Sequence, residues 1–323
     1  MATRFEVLLC GDNPMALRSA GEEALDEIER LEAQLSLFRP SSEISRLNAR
    51  AAYGPVRVSP AVFGLLQHAQ KLNRETAGAF DITIAPLMRC WGFLSGPGQL
   101  PEASALAAAR ELVGMVLVHF DEAEYTVCFE RPGVMLDLGA IGKGYAIDRA
   151  VELLREAGVE NALIHGGTST VYGLGRPPEA EYWKVEIPAP ATLHTRLAEK
   201  LSTGPPPGPA AAKADAPGSP FATVLLRDES LSVSAIWGKF FHSEGKNFGH
   251  VLDPRSGQPA HRAVVSAVVL PSATETDALS TALLTVGPEG HDQVAGLREG
   301  MKTLVVNEFN GALEVRSRGI AVR

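Results

Sequence analysis

Apolar residues recur every three or four positions from Leu17 through Ala20, Ala24, Ile28 and Leu31 to Leu35, while Glu22, Glu23, Asp26, Glu27 and Glu29 hold the other side. That period predicts an amphipathic helix lying on a core with its acids in water. Asn13-Pro14 supplies its start, a capping side chain followed by proline at the first helical position. Ser59-Pro60 opens a second such helix through Val62, Leu65, Leu66, Ala69 and Leu72. Between them Pro40 forces a break, and Ser41 or Ser42 is placed to cap a short helix. Alanine-rich 103–112 and the run 272–286 predict further helices.

Strand patterns fill the remainder. Residues 5–9 open the chain, 116–120 and 125–129 read as a hairpin, and 183–187 alternate. Short apolar or alternating runs follow at 223–226, 231–234 and 264–270, and 303–307 and 312–315 close the chain around Asn310-Gly311. Residues 134–166 read as strand, glycine loop, helix and strand, with Gly139, Gly142 and Gly144 in the loop and Ile147, Ala150, Val151 and Leu154 on one helical face. Strands outnumber helices and several are joined as hairpins, which predicts an α+β fold with mixed or antiparallel sheets and packed helices.

Composition narrows the function. The chain has 323 residues, 45% of them apolar, enough for a real core in one large or two ordinary domains. A net charge of −8 without any basic run argues against nucleic acid as a partner. No apolar run reaches the roughly 20 residues that span a bilayer. The N-terminal residues lack the pattern of a signal peptide, so a cytoplasmic location is expected, or a periplasmic one if an upstream segment was trimmed. Cys10, Cys90 and Cys128 are far apart and form no zinc spacing, which fits buried free thiols. Residues 198–220 are rich in Pro, Ala and Gly and cannot build a core; they read as a flexible insertion in one domain spanning 1–323.

Candidate chemistry gathers at four places. The glycine loop at 139–144 either points backbone N–H groups and Lys143 at an anion or is only a tight connection. Asp277 and Thr281 are four apart on a predicted helix, with Ser280 beside them. A carboxylate with hydroxyls suits Mg²⁺, yet Thr274-x-x-Asp277 and Ser272-x-x-Glu275 also resemble helix-start boxes. His250, before Val-Leu-Asp-Pro, is either a general base or a hydrogen-bonded structural residue. In Thr76-Ala-Gly-Ala-Phe-Asp81, Phe80 either stacks on a ring or is core, and Asp81 either binds a base edge or ribose or braces its own turn.

Together these motifs have a recognisable order. Ser41-Ser-Glu-Ile-Ser-Arg-Leu-Asn48, the 76–81 turn with Trp91-Gly-Phe93, Leu136-Asp-Leu-Gly-Ala-Ile-Gly-Lys-Gly-Tyr-Ala-Ile-Asp148, Gly249-His-Val-Leu-Asp-Pro-Arg-Ser-Gly257 and Glu275-Thr-Asp-Ala-Leu-Ser-Thr281 resemble the ApbE family of FAD:protein FMN transferases. The resemblance covers nearly the whole chain outside 198–220. It implies a two-lobed α+β unit with FAD between the lobes. It also implies transfer of FMN from FAD to a Ser or Thr hydroxyl of an acceptor protein, with release of AMP. The flavin-contacting positions would be Met1, Phe38, Ala79, Phe80, Asp81, Lys143 and Val251, and the catalytic histidine His250. The magnesium site would be the carbonyl of Ala140, the carboxylate of Asp277 and the hydroxyl of Thr281, with Ser280 adjacent. With water as acceptor the same site would be an FAD pyrophosphatase. A non-catalytic FAD-binding protein is the third reading, because Ser234-Ala-Ile-Trp237, Gly166-Gly-Thr-Ser-Thr170 and Phe38 depart from the usual pattern. A homodimer is compatible with the sequence.

Overall fold

The alternating runs resolve into a seven-stranded, wholly antiparallel sheet. A computed structural model describes residues 3–188, 221–236, 240–243, 245–309 and 312–322. Met1, the insertion at 198–220 and the Asn310-Gly311 turn lie outside the described residues. The large sheet contains β1 (Phe5–Cys10), β5 (Asn161–Gly166), β6 (Thr170–Leu174), β9 (Glu229–Ala235), β12 (Val265–Leu270), β13 (Lys302–Phe309) and β14 (Ala312–Arg318), in that spatial order. Two three-stranded sheets accompany it. One orders β2 (Val56–Arg57), β4 (Thr126–Phe129) and β3 (Val118–Asp121); the other orders β15 (Ala321–Val322), β8 (Ala222–Leu226) and β7 (Trp183–Ile187). A hairpin of β10 (Phe240–Ser243) and β11 (Lys246–Gly249) stands apart.

The period of two in a strand divides the core between the faces of the large sheet. Val171, Leu231, Val265, Ala267, Val269, Leu304 and Val306 pack with Trp183, Ile187 and Val224 of the smaller β7–β8 sheet. Ile164, Tyr172, Val268, Leu270 and Val305 face the helices. Those helices are α1 (Pro14–Leu35), α6 (Gly142–Glu156) and α7 (Ala273–Val286), joined at the other lobe by α2 (Glu43–Arg50) and α3 (Pro60–Glu75). Two short helices, α4 (Ala85–Cys90) and α5 (Ala103–Arg110), pack beside the β10–β11 hairpin through Leu87, Trp91, Phe93 and Leu252.

Helix starts follow their sequence signals. The side chains of Asn13, Ser42, Ser59 and Ser272 each accept a backbone N–H three residues on. Helix α7 has a second cap in trans: Asp148 on α6 accepts from Ala273 N at 2.7 Å, Thr274 N at 2.9 Å, Thr274 Oγ1 at 2.6 Å and Ser272 Oγ at 2.9 Å. A carboxylate at a helix N-terminus is favoured by both the unpaired N–H groups and the dipole. Asp148→Ala should therefore cost about 2 kcal/mol, visible as a lower urea midpoint with an unchanged slope.

One expectation needs correction. Residues 134–138 are not a strand. They are an extended, mostly buried segment whose backbone bonds go elsewhere. Asn48 accepts from Leu136 N at 2.8 Å and donates to Leu136 O at 2.9 Å, imitating a strand partner with one side chain. Asp137 N donates to Ile82 O at 2.7 Å. The segment that follows α6 does form a strand, β5, but it pairs with β1 and β6.

Burial pushes the imidazoles of His68 and His165 below their ordinary pKa. The unfolded chain then binds more protons than the native one as the pH drops through the ordinary histidine range, around 6.5. Stability should fall on acidification through that range, and His68→Gln should flatten the fall. Chemical unfolding at a series of pH values measures it.

Candidate active site

Helix α6 begins inside the glycine run, so Lys143 and Gly144 sit in its first turn. No side chain of its own caps it. The carboxylate of Asp277, 134 positions from Lys143 in sequence, takes that place. Its Oδ2 accepts Gly144 N at 3.1 Å and its Oδ1 meets Lys143 Nζ at 2.9 Å. Lys143 Nζ also donates to Gly139 O at 3.2 Å. One ammonium thus joins the glycine turn to α7. Asp277 is only 4% exposed.

This arrangement bears on one of the two readings of Asp277, the helix-start box. Its carboxylate does not serve the start of its own helix, which Ser272 and Asp148 already hold. It is aimed across at another helix's N-terminus. Glu275, the other acid of the apparent boxes, also does something else: it pairs with Arg298, which bridges it to Glu75 on α3. The glycine loop needs its glycine at one place above all. A Cβ on Gly144 would lie 2.0 Å from Ala273 O and 2.8 Å from Thr274 Cα.

One turn beyond Asp277, the hydroxyls of Ser280 and Thr281 both donate back to Asp277 O, at 3.1 and 3.2 Å. Ser234 Oγ lies 2.9 Å from Ser280 Oγ and 3.3 Å from Thr281 Oγ1. Strand β9 places Ser230, Ser232 and Ser234 on one face by its period of two, and these meet Thr276, Ser280 and Thr281 of α7. A column of hydroxyls thereby runs between sheet and helix into the site.

The histidine segment arrives beside the end of the same strand. At Gly249 a Cβ would stand 3.0 Å from Ile236 O, two residues past Ser234. His250 is half-buried, and Val251 packs against the main core. The turn after it is held by Asp253, which accepts Arg255 N and Nε, each at 2.9 Å, and by Trp91 Nε1, which donates to Gly257 O at 2.8 Å. Trp91, Phe241 and Phe248 form an aromatic cluster that ties the β10–β11 hairpin to this turn.

The 76–81 turn lies against the turn after His250, where a Cβ on Gly78 would stand 3.7 Å from Arg255 Cγ, and its side chains take the structural roles their types allow. Phe80 is 2% exposed and its ring belongs to the core, so it does not offer a stacking face. Ala79 is buried too. Asp81 Oδ1 accepts Thr83 N at 2.7 Å and Thr83 Oγ1 at 2.5 Å, and Oδ2 accepts Asn73 Nδ2 at 3.0 Å. The carboxylate braces its turn, and burial raises its pKa against those bonds. Phe38, in contrast, is 68% exposed in the loop between α1 and α2.

Sequence reasoning passed over Asp137. It follows Leu136, accepts Gly139 N at 2.8 Å, and feels the charge of Lys143, while burial raises its pKa. The signal was present: a single acid in an apolar run. Ser234 was legible only as a departure from a pattern, not as the hydroxyl beside Ser280 and Thr281. Ala140 lies in the turn between Gly139 and Gly142, half-buried against the core. Lys143, Asp277, Ser280 and Thr281 are brought together with this turn. Among the described residues no three His, Cys, Asp or Glu side chains cluster as metal ligands, and what Asp277, Ser280 and Thr281 could offer a metal is one carboxylate and two hydroxyls. That set fits a hard cation such as Mg²⁺ and not zinc.

The chain is similar in sequence and in fold to several known proteins. An FAD:protein FMN transferase of Vibrio cholerae is 28% identical over 294 residues, covering 90% of this chain and 80% of its own. Another, from Klebsiella pneumoniae, is 29% identical over 303 residues, covering 92% and 78%. The crystal structure of the Pseudomonas stutzeri flavinyl transferase ApbE in its apo form superposes with a TM-score of 0.78 at 28% identity, over 98% of this chain and 91% of the other. An apbe protein from Thermotoga maritima, 24% identical, shares the fold with a TM-score of 0.78. The ApbE family model matches residues 1–305, and the chain belongs to the ApbE family.

Proposed function

We propose that this chain is a Mg²⁺-dependent transferase that moves FMN from FAD onto a Ser or Thr hydroxyl of an acceptor protein, releasing AMP. The observation that carries the reading is the junction of Asp277 with Lys143 and the start of α6. It sets a buried carboxylate, an ammonium and helix N–H groups at one point, which is what cleavage of a pyrophosphate asks for.

Asp277, Thr281 and Ser280, with the carbonyl of Ala140, would hold the metal. When bound, Mg²⁺ neutralises charge between the phosphates and polarises the phosphorus for attack. Lys143 then has a phosphate oxygen as an alternative to Asp277. Phe38 offers an exposed ring for the flavin, and Val251 an apolar wall. The buried 79–81 turn supports the wall and does not contribute the Phe80 ring. His250 takes the proton from the incoming hydroxyl. The oxygen bonds to the FMN phosphorus, the bridging P–O bond breaks, and AMP leaves with the electron pair.

Hydrolysis of FAD by the same route, with water as acceptor, is the second reading; the half-buried position of His250 leaves water able to approach. AMP release should be followed chromatographically with FAD and Mg²⁺, with and without a peptide carrying an Asp-Ser/Thr-x-Ala-Thr segment. The proposal expects release that depends on the peptide and falls by about a hundredfold or more in His250→Ala. Release of equal rate without peptide would make the chain a pyrophosphatase, and FAD binding with no release at all would leave a binding protein.

A further inference from the structure

Two hollows on the surface of the described residues differ in how their charges are used. One, of about 450 Å³, is lined by Asp253, Arg255, Arg262 and Glu289 among others. Its cations are already paired, Arg255 with Asp253 and Arg262 with Glu289. The other, of about 500 Å³, lies between α2 and β2 and is lined by Arg46, Arg50, Tyr53 and Arg57 with Gly54, Pro55 and Val56. Among the described residues, none of these three arginines pairs with a carboxylate. Their one internal bond is from Arg46 Nη2 to the carbonyl of Arg57, at 3.0 Å.

Three uncompensated guanidinium groups in a chain of net charge −8 form a local exception to the protein's own field. They stand around an exposed ring, since Tyr53 is 81% accessible. Strand β2 is the outer strand of its sheet, so an extended partner meets no further strand there. Arg46 and Arg50 are four apart and share the outward face of α2. Asn48, on the opposite side of the same helix, clamps Leu136 immediately before Asp137. The hollow is therefore separated from the segment leading into the glycine turn by about one helix diameter, roughly 10 Å.

We propose that this hollow is a docking surface for an acidic stretch of the acceptor protein, placed so that the accepting hydroxyl reaches the site on the inner side of α2. The proposal rests on the transferase reading. Arginine forks suit carboxylates in pairs, and a tyrosine ring adds contact area at small entropic cost. A short acidic segment touches only this patch, whereas a nucleic acid would also run against the surrounding negative charge.

The test is fluorescence anisotropy of a labelled peptide of alternating Glu and Ser residues, with a Gln-for-Glu peptide as control, on wild type and on Arg46→Glu/Arg50→Glu. Binding to wild type, absent with the Gln peptide, weaker at high salt and at least about tenfold weaker in the double variant, is the expected result. Equal binding to both proteins overturns the proposal. So does displacement of the peptide by inorganic phosphate at an ionic strength where chloride has no effect, which would make the hollow a phosphate site, or preference for a single-stranded oligonucleotide over the peptide. Circular dichroism melting guards against misfolding. Peptide flavinylation is measured in parallel. The expected variant has a raised KM for an acidic acceptor, with FAD affinity unchanged. If wild type binds the peptide but never transfers FMN, the transferase reading fails and the docking surface stands. If transfer is identical in both proteins, the docking surface fails and the transferase reading stands.

Discussion

Asp277→Asn should reduce FMN transfer by about a thousandfold, with the protein still folded. The residue joins the glycine turn to the hydroxyls of α7. Its carboxylate touches Lys143 and Gly144 N, and its own carbonyl accepts from Ser280 and Thr281. Asparagine keeps the shape and keeps an oxygen for Gly144 N. It removes the charge that a hard cation needs and leaves Lys143 without its counterion. The loss should appear in kcat and not in FAD affinity alone, because the missing interaction acts on charge that grows during pyrophosphate cleavage. Steady-state transfer assays with thermal unfolding as the folding check decide it. A variant within tenfold of wild type would remove Asp277 from the metal site. Its junction with α6 would then be purely structural.

Gly144→Ala should destabilise the protein strongly. Helices α6 and α7 approach so closely there that the added Cβ would lie 2.0 Å from Ala273 O and 2.5 Å from Ala273 C. These are backbone atoms at a helix start held by Asp148 and Ser272, so they have no rotamer through which to yield. The helices must separate, which costs about 3 kcal/mol and, for a chain of 323 residues, lowers the melting temperature by about 4 °C. The same separation would pull Asp277 from Gly144 N, so transfer should fall along with stability. Differential scanning calorimetry gives the first quantity. A midpoint within 2 °C of wild type would mean that the approach is less tight than described.

Much of the scaffold was readable in sequence because its signals are local. Asn13-Pro14, Ser59-Pro60 and Ser272 mark helix starts through bonds that span three residues, and the apolar stripes of α1 and α3 follow from the helical period alone. Strands β8, β9 and β12 were legible from alternation or from short apolar runs. The misreading at 134–138 has a physical reason. Its apolar run is buried as a strand would be, but its hydrogen-bond partners are the Asn48 side chain, 88 positions from Leu136, and the backbone of Ile82. Burial shows in a local pattern; the identity of a distant partner does not. Phe80 was open in the same way, since an aromatic beside a turn has the same sequence whether its ring faces a ligand or the core. The hairpin at 240–249 escaped because its apolar residues serve a small satellite cluster around Trp91 and not the main alternation. Asp277 was visible as a candidate with two meanings, and its bonds to Lys143 and Gly144, which show that it does not cap its own helix, depend on partners more than 130 positions away.

The direct test of the central claim is mass spectrometry of an acceptor protein after incubation with this chain, FAD and Mg²⁺. The account predicts FMN attached through phosphate to one Ser or Thr hydroxyl, an equal amount of AMP, and no adduct with Asp277→Asn or after chelation of the metal. Unmodified acceptor with free FMN accumulating, or an adduct that forms equally with Asp277→Asn, would contradict it.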